Sequence, residues 1–174
     1  QWYMEHVDER CRYLTTIVSS ELHCKKSVFD FTFNSLIPLW RWFLKDAEVV
    51  FDENNNSLLS AYSTMILRDI GMYIGEVFIH QYAGFLKWAY VTKPKSYIHV
   101  NEPLISGVRV FEDPLSGKVL KKPRELHFEP IHMASVQALN ILDRTAKKDD
   151  IFRICSIYAT DADNTICYMK KHGL

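Results

Sequence analysis

A chain of 174 residues, 48% of them hydrophobic and 13% aromatic, carries enough apolar side chain for one sizeable core and too little length for two independent enzyme domains. Its 21 basic residues cancel its 21 acidic ones, so no global positive field gathers nucleic-acid phosphates or anionic lipid, and binding either would need a local patch. The longest apolar runs break well short of the ~18 residues that span a bilayer, as where Met65-Ile-Leu67 meets Arg68 and Asp69, so a single domain over residues 1–174 without a membrane helix is expected.

The segment Gln1 to Arg12 holds Glu5, Asp8, Glu9, Arg10 and Arg12, which is incompatible with the apolar middle of a secretory signal. From Val7 the residues Val7, Cys11, Leu14, Val18 and Leu22 recur at three or four positions and predict an amphipathic first helix. Phe29 to Ser35 alternates aromatic and polar residues, and Ser35 offers an N-cap to a helix from Leu36 to Ala47. Pro38 falls in its first turn, where a missing N–H costs little. Trp40 and Trp42 point about 200° apart on that helix. One of them is therefore expected either at the surface, as a partner-binding side chain, or under another element, with the helix sandwiched between the first helix and the sheet.

Asp52 to Ser57 is a polar loop. From Leu58 to Tyr82 the spacing of Leu59, Tyr62, Ile66, Ile70, Tyr73 and Val77 predicts the central helix, closed by Gly84 in the left-handed conformation. Gly71 and Gly75 within it each cost up to ~1 kcal/mol against alanine, which is tolerable where another element lies against the bare backbone. Beyond Gly84 the residues turn aromatic and β-branched. Phe85 to Val91 with Ser96 to Val100 reads as a hairpin, Leu104 to Phe111 as a strand, Glu112 to Gly117 as a turn, and Val119-Leu120 and Leu126 to Phe128 as extended pieces. Pro130 opens a helix with Met133, Ala134, Val136, Leu139 and Leu142 toward its buried side, and Asp149 or Asp150 caps a last one from Ile151 to Tyr158. Helices, then strands, then helices define an α+β fold: N-terminal helices, a central antiparallel sheet and C-terminal helices.

Signatures of chemistry are sparse. The sequence has no GxGxxG or GxxxxGK loop for phosphate and no GxSxG nucleophile elbow. His127-Phe-Glu129-Pro matches half of a zinc-deaminase signature, but Cys155 and Cys167 are too far apart to supply the rest. Cys11, Cys24, Cys155 and Cys167 form no CxxC pair and read as reduced core thiols of a cytoplasmic protein; in an exported one, separations of 13 and 12 residues would leave room for disulfides. Asp161-Ala-Asp163-Asn164 lacks the glycine and final glutamate of a calcium loop and reads as a surface turn. Lys118, Lys121, Lys122 and Arg124 have no interleaved aromatics, so the cluster reads as a solvated hairpin and no nucleic-acid partner is expected.

Asp69, Tyr73, Glu76 and His80, spaced four, three and four apart, share one stripe of the central helix. In one reading Glu76 is a base, or Glu76 and His80 are metal ligands completed by His127, Glu129 or His132, as in a small metal-dependent hydrolase. In the other, Glu76 satisfies backbone N–H groups of the neighbouring strands and His80 sits at the helix end, where the carbonyl dipole favours its charged form. Two ligands do not make a site, so the second reading leads, with no catalytic residue, metal or cofactor assigned.

The string Phe29-Asp-Phe-Thr-Phe-Asn-Ser-Leu36 followed by Leu39 and Trp42, and then Gly71-Met-Tyr-Ile-Gly-Glu-Val77 followed by Trp88, resembles a group of small, largely uncharacterised bacterial α+β proteins. In that group a Ser-Leu helix start precedes a Tyr-Leu-Gly-Glu-Val helix, a Gly-Gly-Lys-Trp strand entry and a proline-led helix, here Pro130 to Leu142. The likeness covers about residues 29–142, with Tyr82-Ala-Gly-Phe85 in place of the double glycine and no counterpart for the first 25 residues. Some proteins of this size and style are immunity proteins that bind and neutralise a toxin. The resemblance thus implies the fold and favours a binding role. The absence of an assembled active site makes a non-enzymatic, protein-binding module the leading reading, acting through the sheet and its loops or a surface of Trp40 and Trp42, with Tyr73, Glu76 and His80 as further binding candidates. A subunit of a homo-oligomer is a third reading.

Overall fold

The computed structural model describes residues 2–90, 102–112 and 118–173. Its first helix, α1 (Trp2–Glu21), buries the predicted stripe of Val7, Cys11, Leu14 and Val18, whereas Leu22 lies past the helix end and is exposed. Two short 3-10 turns, Lys26–Val28 and Phe33–Ser35, lead into α2 (Leu36–Asp46). Ser35 does not cap α2. Its backbone is already helical, and its hydroxyl donates to the Thr32 carbonyl at 2.6 Å and meets the Tyr73 hydroxyl at 2.8 Å. At a buried position, leaving the Tyr73 O–H without an acceptor costs more than an empty cap.

Asp52 to Asn56 forms the expected polar loop, with Asn55 at φ 63°, a conformation that asparagine tolerates. The flanking residues are extended: β1 (Val49–Phe51) pairs antiparallel with β2 (Ser57–Leu59). The central helix α3 (Ala61–Gln81) therefore starts after Leu59, and the Ser60 hydroxyl caps it by accepting the Ser63 N–H at 3.2 Å. Gly84, at φ 85°, reverses the chain just beyond the end of α3.

Then β3 (Lys87–Tyr90) pairs with β4 (Pro103–Ser106), and β5 (Arg109–Glu112) with β6 (Val119–Glu125), both antiparallel. The predicted strand Ser96 to Val100 and most of the predicted turn at 112–117 lie outside the described residues. Leu104 to Phe111 is broken at Gly107, whose φ of 133° suits glycine and where a Cβ would collide with the Phe85 carbonyl oxygen. The α+β class holds, but among the described residues the antiparallel sheet is divided into three two-stranded ribbons. Phe128 joins the second of them through a bridge to Ile105.

Two helices close the chain, α4 (Pro130–Leu142) and α5 (Asp150–His172). On α4 the buried residues are Pro130, Met133, Ala134 and Gln137, while Val136 and Leu139 are exposed, contrary to expectation. The reason is rotation: Ala134 and Ile131 are turned inward, and Val136 lies about 200° from Ala134. Helix α5 runs well past Tyr158, so Asp161-Ala-Asp163-Asn164 is helical and not a turn. Its buried line continues from Ile151, Cys155 and Ala159 through Ala162 and Thr165 to Ile166, keeping the helical period across a stretch whose side chains are small or polar until Ile166. Asp149 makes no capping bond; the Asp150 carboxylate accepts the Lys147 N–H at 2.7 Å.

The axis of the core is α3, between α1 and α4. A Cβ on Gly71 would lie 2.5 Å from the Ile131 Cα on α4, and one on Gly75 would overlap the Trp88 ring on β3. Both helical glycines thus sit where a neighbour touches backbone. Among the described residues no helix is long and apolar enough to cross a membrane.

Candidate functional site

The stripe on α3 is present, and each of its members is engaged by a neighbouring element. Asp69 is buried, and the Arg10 guanidinium of α1 grips it at both oxygens, with Nε at 2.8 Å and Nη2 at 2.5 Å. Burial lifts the Asp69 carboxyl above its ordinary range, by more than the Arg10 fork lowers it. Arg10 in turn lies over the Tyr13 ring, 4.8 Å from its centre. One turn on, the buried Tyr73 hydroxyl meets the Ser35 hydroxyl and accepts the Phe31 N–H at 3.3 Å. Burial pushes its pKa up to about 12. Glu76 accepts the Trp88 indole N–H at 2.7 Å on one oxygen and stands 3.9 Å from His80 Nε2 on the other.

His80 is half exposed and its ring stacks on Phe31, with centroids 4.6 Å apart; the Tyr73 ring stacks on Phe31 at 4.9 Å. Phe31 has φ 56°, an outlier for a bulky residue. Two rings, the Tyr73 hydroxyl on its N–H and the Gln81 amide on its carbonyl at 3.3 Å hold it there. The stripe is therefore a clasp that ties α1, the aromatic segment before α2 and strand β3 to α3. Glu76 does engage strand β3, but through the Trp88 indole N–H and not the strand backbone N–H groups expected of it; Tyr73 is too buried to touch a partner.

Both tryptophans of α2 are buried, but their hydrogen-bond partners belong to the end of α1 and the segment before α5, where the sandwiched alternative expected the first helix and the sheet. The Trp40 indole donates to the Lys147 carbonyl at 2.9 Å and that of Trp42 to Glu21 at 2.6 Å. A docking surface made of Trp40 and Trp42 is thereby corrected: α1 covers one ring and the approach to α5 the other. His127 stands 3.7 Å from Glu125. Among the described residues no three His, Cys, Asp or Glu side chains converge as metal ligands would, so Glu76 and His80 are not joined by His127, Glu129 or His132. The four cysteines are all free thiols, but only Cys11 and Cys155 lie in the core; Cys24 is half-buried and Cys167 exposed. Burial, reinforced by the charges of Glu76 and Asp69, pushes the Cys11 thiol far up, and burial alone does the same to Cys155, which suits inert core thiols. An apolar gap walled by Phe78, Leu86, Ile105, Phe128 and Tyr158 measures about 10 Å³, too small for a ligand.

The unsatisfied apolar surface lies elsewhere. On the β1–β2 hairpin Val49, Val50, Phe51 and Leu58 are all exposed, Phe51 by 65% and Leu58 by 47%. Cross-strand pairing sets Val50 opposite Leu58 on one face and Phe51 opposite Ser57 on the other. The hairpin rests on α3 and α4 through β2, and Tyr62 and Met65, on the first turns of α3, are exposed as well. The sequence pattern alone does not reveal this surface, although a Val-Val-Phe run before an Asn-rich turn is a hairpin signal. Leu58 and Leu59 also fit the helical spacing of α3, and that masks the second strand. No protein-family model, no curated protein and no solved structure matches the chain.

Proposed function

We propose that this is a non-enzymatic protein-binding module that docks its partner on the β1–β2 hairpin, acting in the cytoplasm as an immunity-type protein that covers a bacterial toxin. The observation that carries the reading is the hairpin itself: four large apolar side chains left exposed on two short strands, two on each face. Scattered exposed apolar residues are ordinary, but here a single hairpin leaves Val50 and Leu58 exposed on one face and Val49 and Phe51 on the other, a density of open apolar side chains that supports an interaction site. The α3 stripe supports the same conclusion from the other side, because its acid, phenol and carboxylate are occupied in holding helices and strand together. The toxin as partner rests on the resemblance of residues 29–142 to small, largely uncharacterised bacterial α+β proteins, some proteins of that size and style being immunity proteins.

The test compares affinity capture from the native cell by the wild-type chain and by Phe51→Asp, a change at an exposed position that leaves the core intact. A partner retained by wild type and lost by the variant is the expected result. Equal retention of the same partner by both, or metal in stoichiometric amount in the purified protein together with a turnover that Glu76→Gln abolishes, refutes the reading.

A further inference from the structure

We infer that the outer edge of β1 accepts a strand from another protein that carries one cationic side chain opposite Glu48 and another opposite Asp52, with apolar residues between them. This rests on the hairpin being the docking surface and names the chemistry of what docks there.

Backbone parity supplies the first part. The Ser60 N–H donates to the Glu48 carbonyl at 2.9 Å and the Asp52 N–H to the Asn56 carbonyl at 3.1 Å. In an antiparallel ladder the main-chain groups of alternate residues point to the same side. Glu48, Val50 and Asp52 thus address β2, and the N–H and C=O of Val49 and Phe51 point the other way. Among the described residues no third strand takes that edge, since the sheet consists of β1 and β2 alone. An added strand would gain main-chain bonds from Val49 and Phe51 and cover the Phe51 side chain.

Charge decides what kind of strand. Edge strands are commonly guarded by lysine or proline, yet between Asp46 and Leu59 every charged residue is acidic, namely Asp46, Glu48, Asp52 and Glu53, and no proline occurs. Asp52 closes the turn by accepting the backbone N–H groups of Asn54 and Asn56 at 2.8 Å each, and the Asn56 side-chain and backbone bonds hold it ionised. A second copy of this chain is the wrong occupant. A two-fold axis through Val50 would set Glu48 opposite Asp52 of the other copy twice, and like charges directly opposite one another destabilise a strand pair. A strand reading cation, three apolar residues, cation meets the same edge with attraction at both ends and apolar contact along Val49 to Phe51.

The probes are two blocked pentapeptides, Lys-Val-Val-Val-Lys and Glu-Val-Val-Val-Glu, titrated into the 15N-labelled full chain and followed by amide shifts. The lysine peptide is expected to move Val49 and Phe51 and to bind at least tenfold more tightly than the glutamate peptide. Raising salt from 50 to 500 mM should weaken it several-fold, and Glu48→Lys, which leaves one end of the edge cationic and the other anionic, should abolish the preference. Equal binding of both peptides at β1 overturns the cationic occupant while the hairpin remains a docking surface. No shift at residues 49–59 with either peptide at millimolar concentration overturns both. A dimer in sedimentation that Phe51→Asp dissolves replaces the cationic strand with a second copy.

Discussion

Replacing Arg10 by methionine isolates the most buried charge among the described residues. The Asp69 side chain is 2% exposed and its charged neighbour is the Arg10 fork, itself 19% exposed. Methionine keeps much of the stem's packing on α1 and removes the two charge-assisted bonds, so the loss reports an uncompensated carboxylate. Breaking one side of a buried pair costs ~3–5 kcal/mol, a large part of the ~5–15 kcal/mol that holds a domain of this size. The carboxyl escapes the penalty by taking up a proton. Because burial already raises Asp69, losing the arginine raises it further. A carboxyl whose folded pKa lies above its unfolded value is destabilising once ionised, so the deficit of the variant is full at neutral pH. It shrinks as pH falls through the raised pKa, by up to ~1.4 kcal/mol per pH unit. Urea denaturation of wild type, Arg10→Met and the double variant Arg10→Met/Asp69→Leu at pH 7.5 and pH 5 measures this. The single variant is expected to lose ~3 kcal/mol or more at pH 7.5 and clearly less at pH 5, with most of the loss recovered by the double variant, because no charge is then buried. A loss under ~1 kcal/mol, or one independent of pH, refutes the assignment of Asp69 and Arg10 as a coupled buried pair.

Gly71→Ala should destabilise by ~1–3 kcal/mol despite alanine's better helix propensity, because the new Cβ meets the backbone of Ile131 and α4 must move away; a thermal melt that rises instead sinks the close-approach account. Glu76→Gln retains an oxygen for the Trp88 indole and should shift stability by less than ~1 kcal/mol, whereas Glu76→Ala leaves that N–H without its acceptor and should cost ~1–3 kcal/mol, with a change in tryptophan emission as the second readout. Tyr73 ionises near pH 10 when unfolded and at about 12 when folded. Its contribution is therefore complete below pH 10 and fades by up to ~1.4 kcal/mol per unit as pH climbs toward 12, and stability curves of wild type and Tyr73→Phe should converge over that interval.

Local periodicity makes the helices legible. Val7, Cys11, Leu14 and Val18 announce α1, the Ile66, Ile70, Tyr73 and Val77 spacing announces α3, and Pro130 marks the start of α4. The glycines of α3 announce close approach without identifying either neighbour. Where the pattern misleads, a stronger local signal hides a weaker one: Leu58 and Leu59 share the period of α3, and the alanine-lined face of α5 beyond Tyr158 has too few large apolar residues to stand out.

Burial of particular side chains is decided at longer range. Trp40 and Trp42 point in opposite directions from one helix, and only the packing of α1 and of the segment before α5 shows that both are covered. The stripe from Asp69 to His80 is visible in the sequence as a row of polar groups, but whether such a row is a site or a clasp depends on what faces it, and Arg10, Ser35, Phe31 and Trp88 come from three other parts of the chain. The exposed hairpin shows the same logic in reverse. Valine, phenylalanine and leucine prefer a core wherever they occur in a sequence; that here they are left exposed follows from the placing of the β1–β2 hairpin, which pairs with no other described strand.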